Sequence, residues 1–328
     1  MTQKPLVSTE PAIVAESLHK SYGEIPAVAG LDLQVPAGQI FGFLGPNGAG
    51  KSTTIGILCT LLRPDSGHAL VAGYDVIRHP DEVRRNISVV FQESTLDRDL
   101  TARQNLRFQA NLFGLHGAAA RAAIASALEL VDLTSRKDSP ISTYSGGMQR
   151  RLEIARGLIH APRVLFLDEP TTGLDPQTRV AIWEHLHRLR AERDVTIFLT
   201  THHLEEAENC DAIVIIDGGK RVAEGTPAKL KAVVGEDLVI LRTGDDNEAA
   251  RAVHERFGLA ASVGPDGLRL RVPDGARLVP RLCAELSLPI HSVTVTSPTL
   301  DDVFLHYTGR SIRDADTGPS LLSELGMR

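Results

Sequence analysis

Apolar runs of strand length recur through the first two thirds of the chain. Leu31, Leu33 and Val35 alternate with polar neighbours; QIFGFL from Gln39, ISVVF from Ile87, VLFLD from Val164, VTIFLT from Val195 and AIVIID from Ala212 follow. Several are apolar throughout, as central strands covered on both faces require. Between them the spacing turns helical: over about 118–133, over 148–161, where Met148, Leu152, Ala155 and Ile159 recur, and over about 177–191. This alternation predicts an α/β domain with a largely parallel sheet. After Lys229 the order becomes strand 237–241, helix 248–257, a short strand near Ala261, strand 268–272, helix 276–286 and strand 290–295. That is the βαββαβ order of a ferredoxin-like unit, with Pro280 inside its second helix. SPTLDDVFLHYTG, 297–309, predicts a last short helix.

Composition narrows the function classes. At roughly 150 residues per domain, 328 residues allow about two domains. A net charge of −6 and 4% aromatics disfavour a phosphate-tracking nucleic-acid binder. Cys59, Cys210 and Cys283 form no CxxC, which argues against a disulfide framework or a structural zinc site and fits a reducing cytoplasm. No stretch approaches the ~20 apolar residues of a membrane span, and the first residues have no signal-peptide core. A membrane role therefore needs a partner.

QIFGFL runs into GPNGAGKST, Gly45 to Thr53, with Gly45, Gly50, Lys51 and Ser52 in the register GxxxxGK[ST]. Polyphosphate is the implied ligand. Across Gly45, Pro46, Asn47, Gly48, Ala49 and Gly50 the backbone can turn its N–H groups toward phosphate oxygens, and the following helix adds its positive end. Lys51 suits the β/γ-phosphates, and the Ser52 hydroxyl, followed by Thr53, suits Mg²⁺. VLFLDEP ends a buried strand on two carboxylates: Asp168 suits a Mg²⁺ contact, direct or through water, and Glu169 the base that polarises an attacking water. Ser145, Gly146 and Gly147, ahead of an amphipathic helix, form a second anion site, although an ordinary N-cap explains Ser145 equally well in isolation.

Together the phosphate loop, YSGGM, VLFLDEP, TTGLD and TTHH resemble the nucleotide-binding subunit of an ABC transporter over roughly residues 11–229. The resemblance implies an α/β P-loop NTPase fold of the ABC ATPase type with a helical subdomain at about 94–160. A tail over 1–10, a small α+β C-terminal domain over 230–309 and a tail over 310–328 complete the chain. ATP and Mg²⁺ are the implied ligands. YSGGM matches the family signature LSGGQ, with Tyr144 for Leu and Met148 for Gln; the second change removes a polar contact near the nucleotide, so the family role falls on Ser145, Gly146 and Gly147. Tyr22 matches the aromatic that stacks on adenine. Gln92 matches the loop glutamine that senses Mg²⁺ and water and couples to the membrane subunit. Asp175 matches the loop acid that crosses the dimer interface, and His202, favoured over His203 by strand register, the switch histidine that contacts the γ-phosphate.

The family also implies a head-to-tail homodimer or pseudo-dimer in which Ser145 of one chain completes the ATP site built by Lys51 of the other. EGTPAKLKA, the βαββαβ unit and PTLDDVFLHYTG resemble ATPase subunits of drug-resistance exporters of the daunorubicin/doxorubicin type, whose permease is a separate chain. Efflux of a hydrophobic or amphipathic compound, drug-like or lipid, is the implied activity. The implied place is the cytoplasmic face of the cell membrane, reached only through the permease and with no nucleic-acid partner. A soluble ABC-type ATPase of translation or DNA maintenance is the competing reading. It is opposed by the lone phosphate loop and by the lack of zinc cysteines or a long coiled-coil insertion. Glu169 and His202 oppose a non-catalytic docking module.

Other polar residues are expected to be structural. His185 and His187 lie two apart on a helix and face different directions, so they make no metal pair. Cys59 belongs to the core and Cys210 is incidental. Arg150 and Arg151 are expected on a solvated helix face, and Glu205, Glu206 and Glu208 in the first turn of a helix.

Overall fold

The computed structural model describes residues 10–310, apart from 265 and 287. The expected tails lie outside these residues, save Glu10 and Arg310. The described chain forms two compact units that divide between Thr226 and Pro227.

The first unit is built on a six-stranded sheet in the order Lys220–Gly225, Ala212–Asp217, Ile40–Leu44, Thr196–Thr201, Val164–Asp168, Ile87–Val90. Only the first pair is antiparallel. Ile40–Leu44 and Thr196–Thr201 are buried at every position, which is why they read as unbroken rather than alternating apolar runs. Phe198 packs against Phe41, Phe43 and Phe166 with ring centroids 5.4–5.9 Å apart, and all four rings are fully buried. Register then fixes the chemistry. Leu44 lies beside Thr201, Asp168 beside Thr200 and Val90 beside Leu167. The segments that begin with Gly45, His202, Glu169 and Phe91 therefore leave from one edge, the carboxyl ends of neighbouring strands, where open α/β sheets bind ligands.

A second, antiparallel sheet orders Ile25–Val35, Ile13–Tyr22, Ser66–Val71 and Tyr74–Asp75. The helices Ala102–Leu112, Gly117–Leu130 and Gly146–Gly157 enclose an apolar cluster of their own that includes Leu106, Ile124, Leu128 and Leu152. The helix expected over 148–161 stops at Gly157, because the chain turns, with Ala161 at φ 51°, to enter Val164–Asp168. The helix Pro176–Glu192 follows.

The second unit pairs Ala261–Gly264, Gly267–Val272, Asp237–Thr243 and Ile290–Thr296 in that order, antiparallel throughout, with helices Asp246–Phe257 and Gly275–Glu285. Its strand order is that of the split βαβ fold. Pro280 is accommodated on the exposed side of its helix, and Asp274 caps the helix by accepting the Arg277 N–H. Pro227–Val234 packs against Leu300–Thr308.

Because Phe198 closes the aromatic cluster on both sides of its strand, Phe198→Ala is expected to cost about 3–5 kcal/mol, read as a lowered denaturation midpoint of the first unit. An unchanged midpoint would contradict the packing argument.

Candidate active site

The phosphate loop passes through a space only glycine can occupy. A Cβ on Gly45 would stand 2.5 Å from Ile216 O, and one on Gly50, which sits at φ 102°, 2.2 Å from Ala27 O. Asn47 and Gly48 are exposed at the tip, while Pro46 and Ala49 are buried. Helix Lys51–Leu58 begins directly after Gly50. Lys51 is 6% exposed; its Nζ donates to Gly45 O (2.7 Å) and Pro46 O (3.1 Å) and lies 3.7 Å from Glu169 Oε1. Ser52 is exposed and Thr53 half-buried in the first turn. Tyr22 is half-buried at the hairpin end opposite Ile25, on the strand whose partner passes Gly50 at Ala27.

Glu169 leaves its strand at φ 45°, in the left-handed region that a side chain other than glycine enters only when its surroundings impose it. Its N–H donates to Thr200 Oγ1 (3.1 Å), and that hydroxyl donates to Asp168 Oδ1 (2.5 Å). His202 Nδ1 donates to Glu169 Oε1 (3.0 Å) and Thr172 Oγ1 donates to Oε2 (3.1 Å). The two adjacent carboxyls are pushed in opposite directions. Burial, with the neighbouring Glu169 charge, raises Asp168 above the usual carboxylate range despite Thr200, Lys51 and Arg150. Burial also pushes Glu169 upward, but the His202 bond and charge, Lys51 and Thr172 outweigh it and hold that carboxyl below its ordinary value. The His203 ring stands 4.0 Å from that of His202, and the His203 backbone N–H donates to Thr201 Oγ1 (2.9 Å). Of the two histidines, His202 is the one bonded to Glu169. Gln92, exposed two residues beyond Val90, leaves from the same edge.

Ser145 caps helix Gly146–Gly157 by accepting the Met148 N–H (3.2 Å). Tyr144 donates its hydroxyl to Arg136 O (2.7 Å) and Met148 packs on the helical cluster, so both departures from LSGGQ serve packing. A Cβ on Gly147 would stand 2.3 Å from Thr178 Cγ2. Thr178 in turn donates to Asp175 through its N–H (3.0 Å) and hydroxyl (2.6 Å), contacts that hold the exposed Asp175 below the usual carboxylate range, the hydroxyl foremost. The structure thus ties the Ser145–Gly147 turn to Asp175, and Lys51 to Glu169 and His202.

Two expectations are corrected. Arg150 does not lie on a solvated face: it is 6% exposed and donates to Phe91 O, Asp168 O, Pro170 O and Glu153 Oε2. Arg151 is half-buried on Val131 O (3.1 Å). Glu206 is 3% exposed, accepts the hydroxyls of Thr171 and Thr201 and pairs with Arg179 Nε (3.3 Å), so only Glu205 and Glu208 of the acidic trio face solvent. Buried hydroxyls and a guanidinium make these interior positions tolerable for charge. His185 is buried beside Asp132 (3.3 Å) and His187 exposed, and the thiols of Cys59 and Cys210 are both buried.

Residues 28–172 match the family described as ABC transporter. The chain is 44% identical over 325 residues to the daunorubicin/doxorubicin resistance ATP-binding protein DrrA of Streptomyces peucetius, covering 95% of this chain and 97% of that one. The chain belongs to the ABC transporter ATP-binding family. Its members are ATPases, and this cassette binds and hydrolyses ATP. Among solved ABC proteins, cbiO1 of Clostridium perfringens, part of an ABC transporter complex, superposes with TM-score 0.65 at 27% identity, covering 76% of this chain and 96% of that one. An ATP-binding cassette in a dimeric post-hydrolysis state bound to ADP and Pi superposes with TM-score 0.59 at 28% identity, covering 65% and 98%.

The Gly147–Thr178 contact gives a direct test. Gly147→Ala is expected to destabilise the ABC cassette by about 1–3 kcal/mol through overpacking, measured by denaturant unfolding. Adding Thr178→Ser, which removes the offending methyl, is expected to recover most of that loss.

Proposed function

We propose that this chain powers the export of a hydrophobic or amphipathic compound, drug-like or lipid, through a separate membrane permease. The carrying observation is the Lys51–Glu169–His202 cluster at the carboxyl edge, in a chain that aligns with 97% of a drug-resistance ATP-binding protein, second unit included. No helix among the described residues is long and apolar enough to cross a membrane, which fits a peripheral place on the cytoplasmic face, held by the permease.

The donor set fits a triphosphate with Mg²⁺. The loop turns on glycines that a Cβ would block, its tip is exposed, and Ser52 stands exposed at the helix start. The half-buried Asp168, raised toward its neutral form, is a carboxyl that a divalent cation would favour in the ionised state. Ser52, Asp168 and Gln92 would hold Mg²⁺, which when bound neutralises charge on the phosphoryl oxygens. Gly45 through Gly50, with Thr53, cradle the phosphates through backbone N–H groups, Lys51 supplies a point charge, and Tyr22 stacks on adenine. Glu169, ionised at neutral pH, orients the attacking water and takes its proton. His202 aims that carboxylate through Nδ1 and would contact the γ-phosphate.

In this reading a second copy brings Ser145, Gly146, Gly147 and Asp175 to the same nucleotide, so ATP favours the closed pair. At about 100 times its dissociation constant a ligand selective for one state contributes about 2.7 kcal/mol, enough to bias a marginal interface. Hydrolysis removes that bias, and the permease converts the cycle into transport.

Glu169→Gln is expected to slow ATP turnover by roughly 10²- to 10⁴-fold and to leave an ATP-dependent dimer on gel filtration; undiminished turnover would remove the base assignment. Lys51→Ala is expected to lose ~1.5–3 kcal/mol of ATP affinity by titration calorimetry, and unaltered binding would contradict the role given to its charge. Co-purification with the permease, followed by a screen for compounds that stimulate turnover, tests the export assignment.

A further inference from the structure

Arg150 directs its guanidinium inward from the helix that follows Ser145. Nε donates to Pro170 O (2.8 Å) and Nη2 to Asp168 O (3.0 Å). These carbonyls belong to the residues before and after Glu169, so one planar fork holds the chain on both sides of the left-handed residue. Nη1 donates to Phe91 O (2.5 Å), immediately before Gln92, and to Glu153 Oε2 (3.0 Å). Glu153 also accepts the Thr95 N–H (3.1 Å), and Arg156 Nη1 donates to Thr95 O (2.8 Å). The segment around Gln92 is thus held at Phe91 and at Thr95 from one helix, and the Phe91 bond comes from the same guanidinium that holds Glu169. A helix-internal ion pair with Glu153 would explain the burial of Arg150 but not its bonds to carbonyls from two strand ends.

We propose that Arg150 is a positioning residue that fixes the backbone of Glu169 in its reactive conformation and couples it to the Gln92 segment. A shift of that segment is then carried to the base without a change in nucleotide affinity. The proposal rests on Glu169 acting as the base. Only a fork of several N–H donors can span these carbonyls; the single nitrogen of lysine keeps the charge but not the span.

The test uses the full-length protein with Arg150→Lys, Glu169→Gln and the double variant. Turnover of ATP with Mg²⁺, affinity for TNP-ATP and the melting midpoint are measured for each. Arg150→Lys is expected to lower kcat by about 10- to 100-fold, the effect of a misplacement on the order of an ångström, with KM, TNP-ATP affinity and melting unchanged. In the Glu169→Gln background it should lower turnover no further. Arg150→Met combined with Glu153→Gln, which leaves no buried charge unpaired, is expected to lower kcat at least as far. Parental kcat in either Arg150 variant, a loss that tracks TNP-ATP affinity or melting, or an additive loss on top of Glu169→Gln would overturn the proposal. Normal turnover by Glu169→Gln alone would instead remove the base assignment beneath it.

Discussion

The active edge depends on the register of the parallel ladder. Strands buried on both faces leave no room for charge along their length, so polar chemistry is confined to their ends. Since Asp168 lies opposite Thr200, one hydroxyl donates to the Asp168 carboxylate and accepts the Glu169 N–H. A slip of one residue would turn Thr200 to the opposite face and break both bonds. The same register sets Leu44 beside Thr201, which brings the phosphate loop next to the segment that starts with His202. Four chemical groups from distant parts of the sequence are collected without any of them contributing to the apolar core.

Within that edge, charge is balanced locally rather than by solvent. Lys51 is almost fully covered, a setting that opposes an isolated ammonium, and it is answered by two carbonyls of its own loop and by the Glu169 carboxylate. The consequence falls unequally on the neighbouring acids. Glu169 has the His202 and Lys51 charges close by and stays ionised more readily than an ordinary glutamate, whereas Asp168 has burial against it and a like charge alongside. Two adjacent carboxyls whose environments separate their acidities are suited to different tasks, one as a standing base and one as a cation ligand.

Much of this was legible in the sequence because the strands are unbroken apolar runs and the chemistry sits in short motifs that immediately follow them. The six runs and the βαββαβ order of the second unit all correspond to elements found. The hairpin Ile13–Val35 was only partly visible: its first strand carries register shifts and alternates irregularly, so only the Leu31–Val35 end kept a clean period of two. Arg150 and Glu206 were misread because a charge on a helix is ordinarily solvated. For Arg150 the sequence offered only the spacing of two glycines, and the close packing behind that spacing is seen in the structure. Gly147 and Gly157 lie on one stripe of its helix, and a Cβ at either would collide with Thr178 Cγ2 (2.3 Å) or Ser88 Oγ (2.7 Å). Residues between two such glycines on the same stripe must face a closely packed interior. For Glu206 the sequence offered no comparable cue, since its partners Thr171, Thr201 and Arg179 come from three separate elements.

The manner in which the helix Gly146–Gly157 is attached bears on how movement could travel. Its outer side belongs to an apolar cluster that could slide, since apolar contact is non-directional. Its inner side is held by glycine contacts and by charge-assisted bonds from Arg150, Glu153 and Arg156, which are short and directional. A rotation of the helical cluster can therefore be absorbed among side chains on one side but not on the other, where the guanidinium must either carry Phe91, Asp168 and Pro170 with it or release them. The two alternatives are discrete, because a bond of this kind is lost over a fraction of an ångström to an ångström of displacement. A lever with one compliant and one rigid face is what a cassette needs if the chemistry at Glu169 is to follow the position of the Ser145 turn.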